Sequence, residues 1–386
     1  MSKPERIPYC KQSIGEEEIA AVTEVLRSGW IVRGPLSKQL EDRVATRVQA
    51  SHAISCSNGS AALEIALRGL GIGPGDEVIV PTLTWVSTAS AVRLVGAKPV
   101  FCDVDAETRC VTVETVRAAW TPQTKALIAV DLCGIPCDIR ALRELTRSNS
   151  AYLIEDAAHS FGAKHDDGTP IGADNFADVT TFSFHPAKTI TTAEGGMLTC
   201  QDSELAARLR RIRSGGMTRD FEGSRGGFDF QVTEVGSNYH LSELHAAIGL
   251  VQLDRTDEFL SARYANAQYM TEKLAPLAHR LRLPEHPNGS SWNLYVVQLE
   301  DDAVDSSERD ELIKSLADAG VAAHLHYPLL HKQPVFATED ERFFPNAEHY
   351  ERRAFTLPLF PGLTKSQIDR VVDAVENALC LPRAIA

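Results

Sequence analysis

Between residues 57 and 200 the chain repeats one pattern, a short apolar run followed by a stretch of helical texture. "EVIVP" (77–81), "KPVFCDVD" (98–105), "KALIAV" (125–130), "YLIED" (152–156), "ADVTTFSF" (177–184) and "GGMLTC" (195–200) read as strands. "NGSAALEIALRGL" (58–70), "WVSTASAVRLVG" (85–96) and "DIRALRELTRS" (138–148) read as helices between them. Runs of about four to eight apolar residues belong in a sheet buried on both faces. Strands alternating with helices in this way place the chain in the α/β class, with a mostly parallel sheet flanked by helices.

The flanking regions have a different texture. Near the N-terminus, Ser13 and Glu16 have the spacing of a capping box. Ile19, Val22, Val25 and Leu26 recur at helical spacing, and Gly29 ends the segment. A long helical stretch begins near Ser242 and runs, with a bend or break, to about Leu277. After it, "WNLYVVQLE" reads as a strand, 307–319 as a helix, "VAAHLHY" as a strand and 364–379 as a helix. These predict a large domain over 1–255 and a smaller α+β domain over 256–386.

The formal net charge of −13 argues against nucleic-acid partners and against an anionic membrane surface. No apolar run approaches the roughly 20 residues of a membrane helix, and Met1 to Pro8 carries no signal-peptide pattern, so a cytoplasmic protein is expected. The eight cysteines are scattered and mostly inside apolar runs, the distribution of reduced, buried thiols. Cys133 and Cys137 are spaced as a conceivable metal pair, but no second pair or histidine cluster follows, and no metal is expected.

Ligands of open α/β sheets bind at the carboxyl ends of the strands. Four groups of residues are predicted there. In "SNGSAAL", Gly59 and Ser60 open a helix whose free N–H groups suit a phosphate; plain capping by Ser57 or Asn58 explains the segment equally well. Trp85, in the loop after "EVIVP", could stack on a flat ring or fill a core. "YLIED" ends in Glu155 and Asp156, with His159 beyond; a carboxylate there needs a cation, either a ring nitrogen or a magnesium ion. The absence of G-x-x-x-x-G-K-[ST] removes most of the magnesium reading, and "GIGPGD" precedes a strand where a dinucleotide fingerprint would follow one. Finally, Lys188 sits in "TFSFHPAKTITTAEGGM", between a strand and two glycines. A desolvated lysine offers a neutral amine for Schiff-base chemistry; a lone lysine would more simply be a salt-bridged one. A phosphate cradle, an aromatic plate, a carboxylate for a ring nitrogen and an amine for an aldehyde are together what pyridoxal 5′-phosphate requires.

With those residues in place, the chain resembles the sugar aminotransferases of the DegT/DnrJ/EryC1/StrS family, within the fold type I pyridoxal-phosphate enzymes. The resemblance is carried over nearly the whole chain by "SNGSAALEIALRGLGIGPGDEVIVPTLTW", "GAKPVFCDVD", "LIEDAAHSFGAKH", "FSFHPAKTITTAEGG", "GSNYHLSELHAAIGLVQL" and "HYPLLHKQP". It implies a seven-stranded sheet, with Lys188 as the lysine that holds the cofactor's aldehyde. Asp156 would pair with the pyridine nitrogen, His159 would sit near the ring hydroxyl and Trp85 would stack on the ring. Gly59, Ser60, Ala61 and Ser183 would hold the phosphate. Asn238 would reach the phosphate of a neighbouring subunit's cofactor, which implies a homodimer with shared sites. His185, His240, His324, His326, Tyr327 and His331 would face substrate, although the last four read equally as a polar loop at a domain junction. Two positions depart from the family pattern: Ala193 replaces a glycine, where a positive φ would suit alanine poorly, and His240 replaces an arginine.

The implied reaction moves an amino group from L-glutamate or glutamine, through pyridoxamine 5′-phosphate, to the ketone of a nucleotide-linked keto sugar. "IPYCKQSIGEEEI", "GIPCDIRAL", "FSFHPAKTITT" and "GGMTRDFE" resemble the branch that aminates C4 of UDP-linked 4-keto-6-deoxy amino sugars. A keto cyclitol or other keto sugar is the alternative substrate. A sugar dehydratase, in which histidine replaces the lysine, and a non-catalytic sensor on the same fold are the alternative functions.

Overall fold

The structure, a computed structural model, describes residues 6–173, 175–219, 229–300, 305–337 and 342–380. The first five residues of the N-terminal segment and the end of "GGMTRDFE" (220–222) lie outside them.

Seven strands form the central sheet: β1 (His52–Cys56), β2 (Glu77–Pro81), β3 (Lys98–Cys102), β4 (Thr124–Val130), β5 (Tyr152–Asp156), β6 (Val179–Ser183) and β7 (Gly196–Cys200). Their order is β1-β7-β6-β5-β4-β2-β3. The β2–β3, β2–β4, β4–β5 and β5–β6 pairs are parallel, and β7 is antiparallel to both β6 and β1. The expected mostly parallel sheet is therefore present. β1 precedes the region where the alternation was read, and its five residues carried no signal of their own.

The helices of this part are α1 (Glu16–Ser28), α2 (Pro35–Val48), α3 (Gly59–Gly69), α4 (Ser87–Leu94), α5 (Val113–Ala119), α6 (Ile139–Ser148), α7 (Ser203–Arg213) and α8 (Glu243–Asp254). They cover both faces of the sheet. Val80 and Ile128 enter one core with Ile65 and Leu67 of α3, while their strand neighbours Ile79 and Leu127 enter the opposite core with Leu142 of α6. Successive side chains of a strand point to opposite faces, so continuous apolar runs feed two cores at once.

A short hairpin, β8 (Met217–Thr218) with β9 (Gln231–Val232), follows α7. After the expected break at Arg255, α9 (Thr256–Leu274) leads into the C-terminal part. There β10 (Leu281–Arg282), β11 (Tyr295–Leu299) and β12 (Ala354–Leu357) form an antiparallel sheet, accompanied by α10 (Ser306–Asp318), α11 (Pro345–Arg353) and α12 (Lys365–Cys380).

Two local expectations need correction. "VAAHLHY" is not a strand; it makes only single bridges, Val321 to Ile7 and His324 to Thr356, and the third strand of the small sheet is β12. α1 starts after Gly15, whose N–H donates to the Glu18 carboxylate at 2.7 Å. Ser13 does not cap it, because its carbonyl and hydroxyl accept from Gln252 and Arg255 at the end of α8. The apolar face of α1 is also largely uncovered: Val25 is buried, but Ile19 and Leu26 are 53% and 60% exposed.

Candidate active site

The carboxyl ends of β1, β2, β4, β5 and β6 meet at one edge of the sheet. Gly196, at the start of the antiparallel β7, stands between Cys56 and Ser183 on the same edge. A cavity of about 440 Å³ opens there. Its walls include Gly59 and Ser60 at the start of α3, Trp85 after β2, Asp156 at the end of β5, Ser183 at the end of β6, and Lys188. All four predicted groups therefore share one cavity.

Lys188 lies in a closed loop. The Phe184 N–H donates to the Gly195 carbonyl at 2.8 Å, and the Thr191 hydroxyl and Thr192 N–H both donate back to the Phe184 carbonyl. Ala193 holds a φ of +69°, the left-handed conformation that favours glycine, and its N–H donates to the Thr191 hydroxyl at 2.9 Å. The Lys188 carbonyl accepts from Arg263 of α9 at 3.3 Å. Burial pushes the Lys188 amine down to about 8; Asp156 and Cys10 oppose that shift and Arg263 adds to it. The lysine thus carries a neutral, nucleophilic amine far more often than a surface lysine does.

Asp156 is 6% exposed. Its carboxylate accepts from the Ala158 N–H at 3.2 Å and the Thr88 hydroxyl at 3.1 Å. Burial still raises its pKa, with the Ala158 amide, the Lys188 charge and Thr88 as the opposing influences. Glu155, one residue earlier, points to the other face of the sheet. It is fully buried, accepts from the Thr180 hydroxyl at 3.0 Å, and has a pKa raised well above the usual range, first by burial and then by Asp131. Strand periodicity decides between the two carboxylates: Asp156 faces the cavity and Glu155 is a core acid.

His159 is a neutral ring. Its Nδ1 accepts the Cys133 N–H at 3.2 Å, which leaves the proton on Nε2, 3.3 Å from the Tyr327 hydroxyl. Burial and the nearby Lys188 and His326 charges hold its pKa well below 6.5. Asn58 caps α3 by accepting the Ala61 N–H at 2.8 Å. Gly59 and Ser60 are the residues whose amides a helix start leaves free. A Cβ on Gly59 would lie 2.9 Å from the Ser183 Cβ, so glycine is needed where α3 crosses the end of β6.

Trp85 stands 56% exposed at the mouth of the cavity, with its ring centroid 5.5 Å from that of Tyr327. His185, His326 and Tyr327 also line the cavity, and the His326 Nδ1 is 2.8 Å from the Thr356 hydroxyl. Ala61, Asn238, His240, His324 and His331 do not line it. His331 is buried against Thr82, with its Nδ1 2.6 Å from that hydroxyl. His324 packs edge-on against Tyr9. Asn238 is exposed. His240 lines a second cavity.

Some residues of the site were not singled out from the sequence. Thr88 steadies Asp156, and the hydroxyl-rich start of α4 at a strand's end was a usable signal. Tyr9 also lines the cavity, and nothing in its local sequence pointed there. Arg263 is 2% exposed, and its Nη1 donates to the Trp292, Asn293 and Leu359 carbonyls. Its place on a helix with ordinary charge spacing concealed it. Cys133 and Cys137 are free, buried thiols, and among the described residues no group of three His, Cys, Asp or Glu could hold a metal ion. Among the same residues no helix is long and apolar enough to cross a membrane.

Solved structures with the same architecture were found. Spr1654 of Streptococcus pneumoniae, assigned as a sugar aminotransferase and solved in a PMP form, is 31% identical with a TM-score of 0.88 over 97% of this chain and 98% of its own. The same protein is solved in a PLP form. The aminotransferase TlmJ of Streptoalloteichus hindustanus is 35% identical, with a TM-score of 0.87 over 97% of this chain and 98% of its own. DesV of S. venezuelae, solved in complex with a ketimine intermediate, is 35% identical, with a TM-score of 0.87 over 98% of this chain and 100% of its own. The model of the DegT/DnrJ/EryC1/StrS aminotransferase family matches residues 12–376. With that match spanning nearly the whole sequence, the chain belongs to the DegT/DnrJ/EryC1/StrS aminotransferase family.

Proposed function

We propose that this chain is a pyridoxal 5′-phosphate-dependent aminotransferase that passes the amino group of L-glutamate or glutamine to the ketone of a nucleotide-linked keto sugar, at C4 of a 4-keto-6-deoxyhexose. The observation that carries the reading is the meeting of Lys188, Asp156, Ser183 and the α3 start around one cavity of about 440 Å³.

The residues fit the cofactor. Asp156 is a buried carboxylate whose hydrogen-bond donors are neutral and which feels the Lys188 charge without a hydrogen bond to it; a protonated ring nitrogen would give it a directly bonded cation. Gly59, Ser60 and Ser183 form the cradle for a phosphate, and a side chain at residue 59 would fill it. When bound, pyridoxal phosphate supplies a ring that withdraws electrons from the substrate carbon. Asp156 would keep the proton on the ring nitrogen. Lys188 would hold the aldehyde and then, once released, carry a proton to and from the reacting carbon, a task suited to an amine near 8. Trp85 would cover one face of the ring against water, and His159 would donate its Nε2 proton toward Tyr327 and the ring hydroxyl. His185, His326 and Tyr327 are the substrate-facing residues of this cavity.

The same reading includes a homodimer working in the cytoplasm. Asn238 is exposed and outside this chain's own cavity, as a residue serving a partner's site must be. Ile19, Leu26, Trp30 and Val32 are each more than half exposed on or just after α1, an apolar surface that a second subunit would cover. His240 and His331 retain substrate-binding roles only if a partner or a domain movement brings them to substrate.

Incubation with glutamate carrying an isotopically labelled amino nitrogen and a UDP-linked 4-keto-6-deoxy sugar tests the proposal. An aminated sugar nucleotide containing the label is expected. A deoxygenated product, or a cofactor-loaded protein that turns over none of a panel of keto sugars and keto cyclitols, would contradict it.

A further inference from the structure

The largest of the fully buried side chains is a cation, Arg263 of α9. Burial pushes its guanidinium down to about 10. Buried charges are ordinarily paired with an opposite charge. Arg263 is not: among the described residues its hydrogen-bond acceptors are all main-chain carbonyls. Nη1 donates to Leu359 at 3.1 Å, Asn293 at 3.3 Å and Trp292 at 3.4 Å, and Nη2 donates to Lys188 at 3.3 Å.

These carbonyls belong to three separate segments, and each segment holds a wall of the cofactor cavity. Lys188 lies in the loop after β6. Asn293, just before β11, donates its N–H to the Cys133 carbonyl at 3.1 Å, and the Cys133 N–H is the donor that fixes His159. Its neighbour Trp292 holds a φ of +50°, a conformation that its surroundings must maintain. Leu359, just after β12, donates its N–H to the Tyr9 carbonyl at 3.1 Å, and Tyr9 lines the cavity. One turn along α9, Asn266 donates to the Phe360 and Pro361 carbonyls at 3.1 and 3.4 Å, so the helix grips that last segment twice.

Only a guanidinium suits this place. Its donors form a rigid planar fork that reaches several carbonyls at once, whereas an ammonium is a single point. Lys188 and Arg263 also line a crevice of only about 10 Å³, room for one water at most. Little solvent therefore screens one charge from the other.

We propose that Arg263 is a positioning residue for Lys188, fixing its main chain to the walls that carry His159 and Tyr9 and setting an unpaired positive charge behind its amine. A lysine beside a second cation gives up its proton more readily. Asp156 of β5 and Cys10 of the N-terminal segment act in the opposite direction, and His159, His185 and His326 face the amine as rings whose pKa values burial lowers.

The test compares full-length Arg263→Lys, which keeps the charge and loses the fork, with Arg263→Met, which loses both. Competitive acetylation of Lys188 in the apoprotein reads the charge. The rate and half-saturation with which glutamate bleaches the cofactor-loaded protein read the geometry. For Arg263→Lys, the acetylation inflection should stay near 8 while bleaching slows about tenfold, with half-saturation within about twofold of the wild type. For Arg263→Met, the inflection should rise by roughly 0.5–1 pH unit and bleaching should slow about 100-fold. Inflections that rise equally in both variants would trace the change to entry of water and overturn the proposal, as would folded variants that match the wild type in both readings. If Arg263→Met fails to fold, Arg263→Lys decides alone: a retained inflection with slower bleaching supports the role, and wild-type bleaching overturns it. The bleaching readout rests on the aminotransferase reading above and the acetylation readout does not. A wild-type protein that glutamate never bleaches would contradict that reading, while the two inflections would still decide this one.

Discussion

The cavity around Lys188 and the second cavity around His240 are opposite kinds of site. Lys188 and Asp156, a buried cation and a buried carboxylate, share a cavity that Glu194 also lines, and each pulls the other's proton affinity against burial. Around Arg213 and His240, like charges crowd together, and burial with Arg213 and Arg33 pushes His240 down to about 4. The first arrangement suits moving a proton near neutral pH. The second keeps its histidine uncharged there. Their origins also differ: strand ends build the first, whereas α2, α7 and two loops build the second.

Substitutions can break this contrast, and the largest effect belongs to the first cavity. Lys188→Ala should lower turnover by on the order of 10⁴-fold while leaving the melting curve near that of the wild type, since no other side chain there offers an amine. A variant retaining full rate in a coupled glutamate assay would remove the lysine from the chemistry. Asp156→Asn keeps the shape and removes the charge, and should cost roughly 10²–10³-fold in kcat. The Ala158 N–H would still donate to the amide oxygen and the Thr88 hydroxyl would turn to accept from the amide N–H, so the side chain stays in place and the loss would report charge and not position.

The Lys188 amine also gives a pH prediction that needs no cofactor. Its lowered pKa means that the neutral form grows as pH rises through about 8, some two units before a free lysine at about 10.4. Competitive acetylation of the apoprotein, read by mass spectrometry on the peptide containing Lys188, should show an inflection near 8. An inflection above 10 would place the amine in water. Smaller effects come from the loops beneath the cofactor. Ala193→Gly should stabilise the fold by roughly 0.5–1 kcal/mol by relieving a positive φ. Asn58→Ala should cost about 1 kcal/mol by uncapping α3. Chemical denaturation measures both, and the two signs should be opposite.

The difference in origin explains what was legible in the sequence. Lys188, Asp156, Ser183, Gly59 and Trp85 each stand next to a strand, and strands announce themselves by short apolar runs. The direction of those strands then gathers the residues at one edge. Ala193 drew attention only through the resemblance, as an alanine where the family has glycine, and it does hold a positive φ. The basic cavity had no such advantage: Arg33, Arg210, Arg213 and Arg219 sit among ordinary polar residues, and only folding brings them together. His240 was placed beside the active site by resemblance alone, and in this chain it lines the basic cavity. The apolar positions of α1 were legible as a helical face, but periodicity marks amphipathicity without naming what covers it.

The most direct test of the central claim is the visible absorption spectrum of the purified protein with pyridoxal phosphate, before and after L-glutamate. A yellow, Lys188-bound cofactor that bleaches on adding glutamate, and is absent from Lys188→Ala, is the predicted result. A protein that stays colourless after cofactor is added would contradict the assignment of Lys188 and of the cavity built around it.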